Sequence, residues 1–307
     1  MVMDYLEEFM AANPRHPSVI TLKTGVRENG EIVAHQARVV FNSGAYAGFK
    51  PGGNLGGGAH VGGVYRMPNV DIEWIQVYTN TVPGGHYRAP GEPQAIFAIE
   101  SHMDVIARKL GMDPLEFRLR NVVREGDEMP GGVVYQEVRA EEVLRAAALA
   151  ADYQSPKAEN IGRGIAMGDR GPGGGESHAQ VSLNPDGTVT LSTPIFEQGA
   201  GAYTTMRQIV AEELGIDPEV INVEVWNTDA VPFDTGTGGS RVTRIGGIAV
   251  YQASQQAKQN MGRLAADLLN WPEEQISISG GSVRREDRKE SQPWRELLAR
   301  TGHSVYG

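Results

Sequence analysis

The chain has 307 residues, 40% of them hydrophobic and 21% charged, which is enough for two domains each with its own core. Its net charge of -10, with no basic stripe, argues against a nucleic-acid partner, and the absence of cysteine excludes disulfides, thiolate metal sites, iron-sulfur clusters and a cysteine nucleophile from this chain. No apolar run reaches the roughly 20 residues that span a bilayer, and the opening MVMDYLEEFMAANPRHP lacks the regions of a signal peptide, so a cytoplasmic location with no membrane partner is expected.

In chain order, Ser18 to Phe41 alternates as two strands around the turn residues Glu28, Asn29 and Gly30. The loop GFKPGGNLGGGAHVGG follows, and then the strand VDIEWIQVYTN. After Pro93 the spacing of Ala95, Ile99, His102, Met103, Ile106 and Leu110 predicts an amphipathic helix that Gly111 closes. DPLEFRLRN predicts a second helix, with Asp113 as its cap and Pro114 at its first position, and VRAEEVLRAAALAADY a third.

The polar stretch YQSPKAEN, Tyr153 to Asn160, marks a boundary, giving domains over 1–155 and 156–307. Beyond it HAQVSLNPDGTVTLSTPIF is a hairpin turning at Asp186 and Gly187. Met206, Val210 and Leu214 recur at helical spacing, IDPEVINVEVW repeats the Gly-stop, Asp-cap, Pro-start corner, a long helix runs to about Leu269, and ISISGGSVRRE is a short hairpin. The expected class is α+β, with helices packed on mixed sheets in each half.

Three glycine-rich loops stand before helices: Gly84 to Pro93, Glu197 to Ala202, and Thr235 to Gly247. A helix start offers unpaired N–H groups, and glycine lets a ligand approach them closely, so the three loops suit one extended polar ligand. The spacing matches neither the dinucleotide fingerprint nor the phosphate-binding loop that ends in Gly-Lys-Ser/Thr.

TNTVPGGHYRAPGEPQAIFAIESHMDVIARKLGMDPLEFRLRNVVREGD resembles the molybdenum-cofactor-binding region of the xanthine dehydrogenase and aldehyde oxidase family. That family shows, in the same order, an Asn, a Tyr/Phe-Arg-x-x-Gly-x-Pro-Gln loop, a helix carrying Glu and Asp, then Asp-Pro and Arg-x-x-Asn. FEQGAGAYTTMRQIVAEELGIDPEVINV is similar to its second cofactor loop, and DTGTGGSRVTRIGGIAVYQA to its third. The likeness runs over nearly the whole chain.

The resemblance implies two partial molybdenum-cofactor-binding domains and a molybdenum-molybdopterin cofactor in the cytosine dinucleotide form. It implies Arg88 and the backbone of Ala89 beside the metal, Pro90 and Gly91 facing a substrate pocket, Gly199, Ala200 and Gly201 against the pterin, and Gly239, Ser240 and Arg241 at its phosphate-bearing part. The implied reaction is hydroxylation of an aldehyde or N-heterocycle, with iron-sulfur clusters and FAD only on partner chains. The family's Gly-Gly-Gly-Phe-Gly loop and the Gly-x-Gly-Glu motif carrying the general-base Glu are expected outside this chain, so it reads as one piece of a split subunit or a truncated one, expected to be inactive alone and to work with the other subunits of a molybdenum hydroxylase complex. Ala200 stands where the family usually has a cofactor-binding glutamine, and no cysteine follows Arg88 as in the carbon monoxide oxidising branch. A second reading keeps the fold as a non-catalytic remnant or assembly module that binds no cofactor.

Several residues carry a plainer alternative. Arg88 could pair with Glu92; His102 reads as a hydrogen-bonded core histidine; Glu100 and Asp104, at i and i+4, read as partners between elements. His86 is in the loop, but no second ligand at metal spacing accompanies it, so no protein-bound metal is expected. Ser240 lacks the glycine pattern of a hydrolase nucleophile, Gly171 to Glu176 is implied to border the substrate channel, and Arg284 to Glu290 is a solvated turn.

Overall fold

The computed structural model describes residues 3–46, 55–128, 134–225, 227 and 234–307. The chain forms two compact units, Met1–Arg170 and Gly171–Gly307.

The first unit opens with helix α1 (Tyr5–Ala11), started by a reciprocal capping box between Asp4 and Glu7. Strands β1 (Ser18–Val26) and β2 (Ile32–Gly44) are antiparallel, and β3 (Val70–Tyr78) runs parallel to β2 on its other side. The β1–β2 turn falls where the sequence put it, with Gly30 in the left-handed region at φ 86°. Alternation along β2 buries Ala37, Val39 and Phe41 and exposes Gln36 and Arg38, which bond Asp71 and Glu73 of β3. Of the loop GFKPGGNLGGGAHVGG, residues 48–54 lie outside the described residues, and Gly56–Gly62 forms a 3-10 turn.

Helix α2 (Glu92–Lys109) buries Ala95, Ile99, Met103 and Ile106, the stripe its periodicity predicts. Ile99, Met103 and Ile106 each contribute about 1.5–3 kcal/mol if fully removed from water. Helix α3 (Pro114–Asn121) starts on Asp113, whose carboxylate accepts from the N–H groups of Leu115 and Glu116. Asn121 closes the unit: its side chain accepts from Ile32 N–H at 2.9 Å and donates to the carbonyls of Gly30 and Phe117. After α4 (Ala140–Ala150) the chain beyond Tyr153–Asn160 stays with this unit. Ile165 and Met167 pack on Leu115, Leu144 and Ala148, and Met167 N–H donates to Glu100, so these residues belong to the compact unit that runs to Arg170.

In the second unit β4 (Gln180–Leu183) and β5 (Val189–Thr193) form the expected hairpin, with Gly187 at φ 90°, and β6 (Ile221–Val225) adds parallel to β5. Helices α5 (Ala202–Leu214) and α6 (Gly247–Leu269) share one core with this sheet, where Met206, Val210, Leu214, Val250, Ala257 and Met261 are wholly buried. Strands β7 (Ile276–Ser279) and β8 (Ser282–Arg285) gain a third partner, β9 (Glu290–Pro293), which takes up the end of the stretch read as a solvated turn. The sequence reading also missed α7 (Trp294–Thr301), although Trp294, Leu297 and Leu298 keep i, i+3, i+4 spacing, and β10 (Val305–Tyr306), which pairs with β4. Helices and mixed sheets in both units give the α+β class.

Candidate functional site

In the first unit the loop before α2 lies on a bed made by residues 13–16. Gly84 and Gly85 are packed so closely on His16 and Asn13 that a Cβ at either would overlap those side chains. Gln94 donates to the His16 carbonyl at 2.8 Å. Arg15 donates to the Arg88 carbonyl at 2.6 Å and the Ala89 carbonyl at 3.3 Å, and its guanidinium lies over the Tyr87 ring at 4.5 Å. Two of the loop's glycines thus serve close packing, a role their sequence pattern did not separate from ligand approach.

Arg88, Ala89, Pro90 and Gly91 are held together at the head of α2. Ala89 takes the left-handed conformation at φ 56° and Gly91, the residue capping α2, takes φ 85°. The 3-10 turn presses on the same point: a Cβ on Gly57 would stand 2.6 Å from the Pro90 carbonyl oxygen. Glu92 does not pair with Arg88; its carboxylate meets Arg170 and lies 3.9 Å from His60. His60 also meets Asp169 at 3.3 Å, and that hydrogen bond raises its pKa above the ordinary imidazole value. Arg88 is exposed and forms no ion pair among the described residues.

Glu100, Asp104 and Arg118 form a buried polar knot behind the loop. The Arg118 guanidinium donates to Glu100 at 2.8 Å and Asp104 at 2.7 Å, and Tyr65 donates to Glu100 at 2.5 Å. Burial and then the Glu100 charge push the Tyr65 hydroxyl well above its ordinary range. Glu100 and Asp104 are therefore partners between elements, as their spacing suggested. His102 shares the Thr24 hydroxyl with His35, at 2.9 and 2.8 Å, in keeping with a hydrogen-bonded histidine.

In the second unit the other two glycine loops meet, with Gln198 donating to the Thr237 carbonyl at 3.3 Å. Gly199 and Gly201 lie in the left-handed region, and a Cβ on either would have nothing within 4 Å. Gly239 and Ser240 share that conformation at φ 59°. Glu197, which the sequence reading took only as the start of its loop, holds that loop's backbone. Its carboxylate accepts from the N–H groups of Ala200, Gly201 and Tyr203, and these bonds outweigh its desolvation and hold its pKa below the usual carboxylate value.

Arg241 is buried and spends its guanidinium on protein acceptors: the Gly174 carbonyl at 2.8 Å, Asp234 at 3.1 Å, the Gly236 carbonyl at 2.7 Å and the Glu176 carbonyl. It binds the stretch Gly171 to Glu176 to the third loop, where Gly173 N–H also meets the Gly239 carbonyl. Asp234 Oδ2, Thr237 Oγ1 and Ser177 Oγ are buried without a hydrogen-bond partner among the described residues. The chain then passes through a π turn (Val242–Gly246) into α6. No group of His, Cys, Asp and Glu able to hold a metal ion occurs among the described residues, and none of their helices is long and apolar enough to cross a membrane.

Both units are α+β, and each presents a glycine-rich loop at a helix start. The molybdopterin cofactor-binding domain family matches residues 1–122, and a second family of that description matches 139–305. The chain is 30% identical over 288 residues to a probable xanthine dehydrogenase subunit of Bacillus subtilis (strain 168), covering 90% of this chain and 38% of that protein. It is 31% identical over 302 residues to a putative xanthine dehydrogenase molybdenum-binding subunit of Escherichia coli (strain K12), covering 92% and 40%. In fold it resembles quinoline 2-oxidoreductase from Pseudomonas putida 86, with a TM-score of 0.79 at 24% identity, over 100% of this chain and 44% of that one. The chain belongs to the xanthine dehydrogenase and aldehyde oxidoreductase family, matching its molybdenum-binding subunit. It spans about two fifths of the length of these curated relatives.

Proposed function

We infer that this chain is the cofactor-embracing part of a molybdenum hydroxylase acting on an aldehyde or N-heterocycle in the cytoplasm. The observation that carries the reading is the fixed loop Arg88–Gly91, where the half-buried Ala89 N–H has no protein acceptor among the described residues. The orphaned Thr237 Oγ1 and Asp234 Oδ2, and the open faces of Gly199 and Gly201, fit a bulky polar group in the same way. When bound, the molybdenum-pterin group supplies two-electron oxidation of a substrate carbon with oxygen from water. The residues of this chain orient it: Arg88 and the Ala89 backbone on the metal side, Gly199, Ala200 and Gly201 along the pterin, and the backbone of Gly239, Ser240 and Arg241 at the phosphate-bearing part. Pro90 and Gly91 wall the substrate space. The dinucleotide form of the cofactor, the partner chains with iron-sulfur clusters and FAD, and a general-base Glu supplied from outside this sequence complete the proposal.

Glu197 favours the second reading, a module that binds no cofactor, because its carboxylate already fills the N–H groups at the start of α5. Molybdenum content decides between the two. It is measured by inductively coupled plasma mass spectrometry on the chain purified with its partners from its own host. About one metal per chain, lost in Arg88→Ala, supports the hydroxylase; none, in a host whose other molybdoenzymes are loaded, supports the module.

A further inference from the structure

We propose that Arg15 is a positioning residue that fixes the direction of the Ala89 N–H, turning it into a ready donor for an oxygen of the bound group. The inference rests on the cofactor reading for the identity of that oxygen, and on geometry alone for the orientation. Arg15 lies in the segment between α1 and β1, 73 and 74 residues from the carbonyls it holds.

The argument begins with the peptide joining Arg88 and Ala89. A trans peptide is planar, so its C=O and N–H point in opposite directions; the described chain contains no cis bond. With the Arg88 carbonyl drawn to Arg15 at 2.6 Å, the Ala89 N–H on the same peptide is turned away from Arg15. Pro90 has no N–H, so Ala89 carries the only backbone donor between Arg88 and Gly91. That donor meets no protein acceptor among the described residues.

Arg15 also holds the Ala89 carbonyl at 3.3 Å and stacks on Tyr87, so the residues on both sides of the peptide are fixed. Ala89 is alanine in a left-handed conformation that side chains disfavour, and without the clasp its backbone would relax toward an ordinary φ. Only a planar guanidinium reaches two neighbouring carbonyls and an aromatic face together; a lysine ammonium is a single point charge.

The test compares the full chain, with its partners, as wild type, Arg15→Gln and Arg15→Lys. Amide hydrogen exchange is read over residues 84–92, alongside molybdenum content and the Mo(V) paramagnetic resonance signal. The expected result for Arg15→Gln is exchange faster by about tenfold or more in that segment, with α2, α3 and the sheet unchanged. Molybdenum falls or its signal shifts, and Arg15→Lys recovers only part of the loss. Unchanged exchange over 84–92 in Arg15→Gln overturns the proposal. So does faster exchange with wild-type metal content and an identical signal, because the clasp would then hold the loop without aiming its donor. If the wild-type protein carries no molybdenum, the cofactor reading falls, and the orientation role of Arg15 stands or falls on the exchange result.

Discussion

Arg118 and Glu100 meet at 2.8 Å in the interior of the first unit, the guanidinium with no exposed surface and the carboxylate with almost none. Glu100 also takes the hydroxyl of Tyr65 and the N–H of Met167, so one carboxylate joins the loop before β3, α2, α3 and the segment after α4. Truncating one partner strands a buried charge. Arg118→Ala is expected to cost about 3–5 kcal/mol, read as a lower urea midpoint for the first unit's unfolding with that of the second unit unmoved.

The His35–Thr24–His102 chain makes the first unit acid-sensitive. Burial, and then the charge of His102, lower the pKa of His35 to about 4; burial and Lys109 lower that of His102. Both histidines are therefore neutral in the fold and take up protons more readily when unfolded. Stability falls as pH drops below the unfolded value near 6.5, and falls further down to about 4, by at most about 3 kcal/mol for His35. Denaturant midpoints between pH 7 and pH 4 should show this slope in the wild type and a flatter one in His35→Gln; equal slopes would refute the assignment.

Gly57 and Gly56 are neighbours with opposite tolerances. A Cβ on Gly57 would strike the backbone at Pro90 and Glu92, whereas one on Gly56 meets nothing within 4 Å. Gly57→Ala should destabilise the unit by about 1–3 kcal/mol, with amide exchange rising over residues 90–92, and Gly56→Ala should be near neutral in both measurements.

Arg241 and Asp234 are both buried side chains in the third loop, 3.1 Å apart. Arg241→Lys keeps the charge but loses the fork that spans Gly174, Glu176 and Gly236, at a cost of about 1–3 kcal/mol from buried carbonyls left without a donor. Limited proteolysis should show new cleavage between Gly171 and Glu176 or at 234–241 in this variant; a wild-type digestion pattern would show the fork to be dispensable.

Much of this architecture was legible in local sequence. The α2 stripe, the Asp113 cap, the turns at Gly30 and Gly187, and the Met206–Val210–Leu214 face follow from period, cap and glycine steric freedom, which act within a few residues. The missed pieces had weaker local signals: α7 is short, and β9 and β10 gain their meaning only from the strands beside them.

By itself the sequence determined most of the elements, the α+β class, the family and the three loops to inspect, because propensity and motif order are properties of neighbouring residues. Tertiary structure decided what those loop residues touch. It set Arg15 under Arg88, spent the Arg241 guanidinium on Gly174 and Glu176, paired Glu92 with Arg170, and gave Gly84 and Gly85 a packing role. These partners lie tens of residues apart, and a hydrogen bond is selected by distance and direction in the folded chain, which no local pattern encodes.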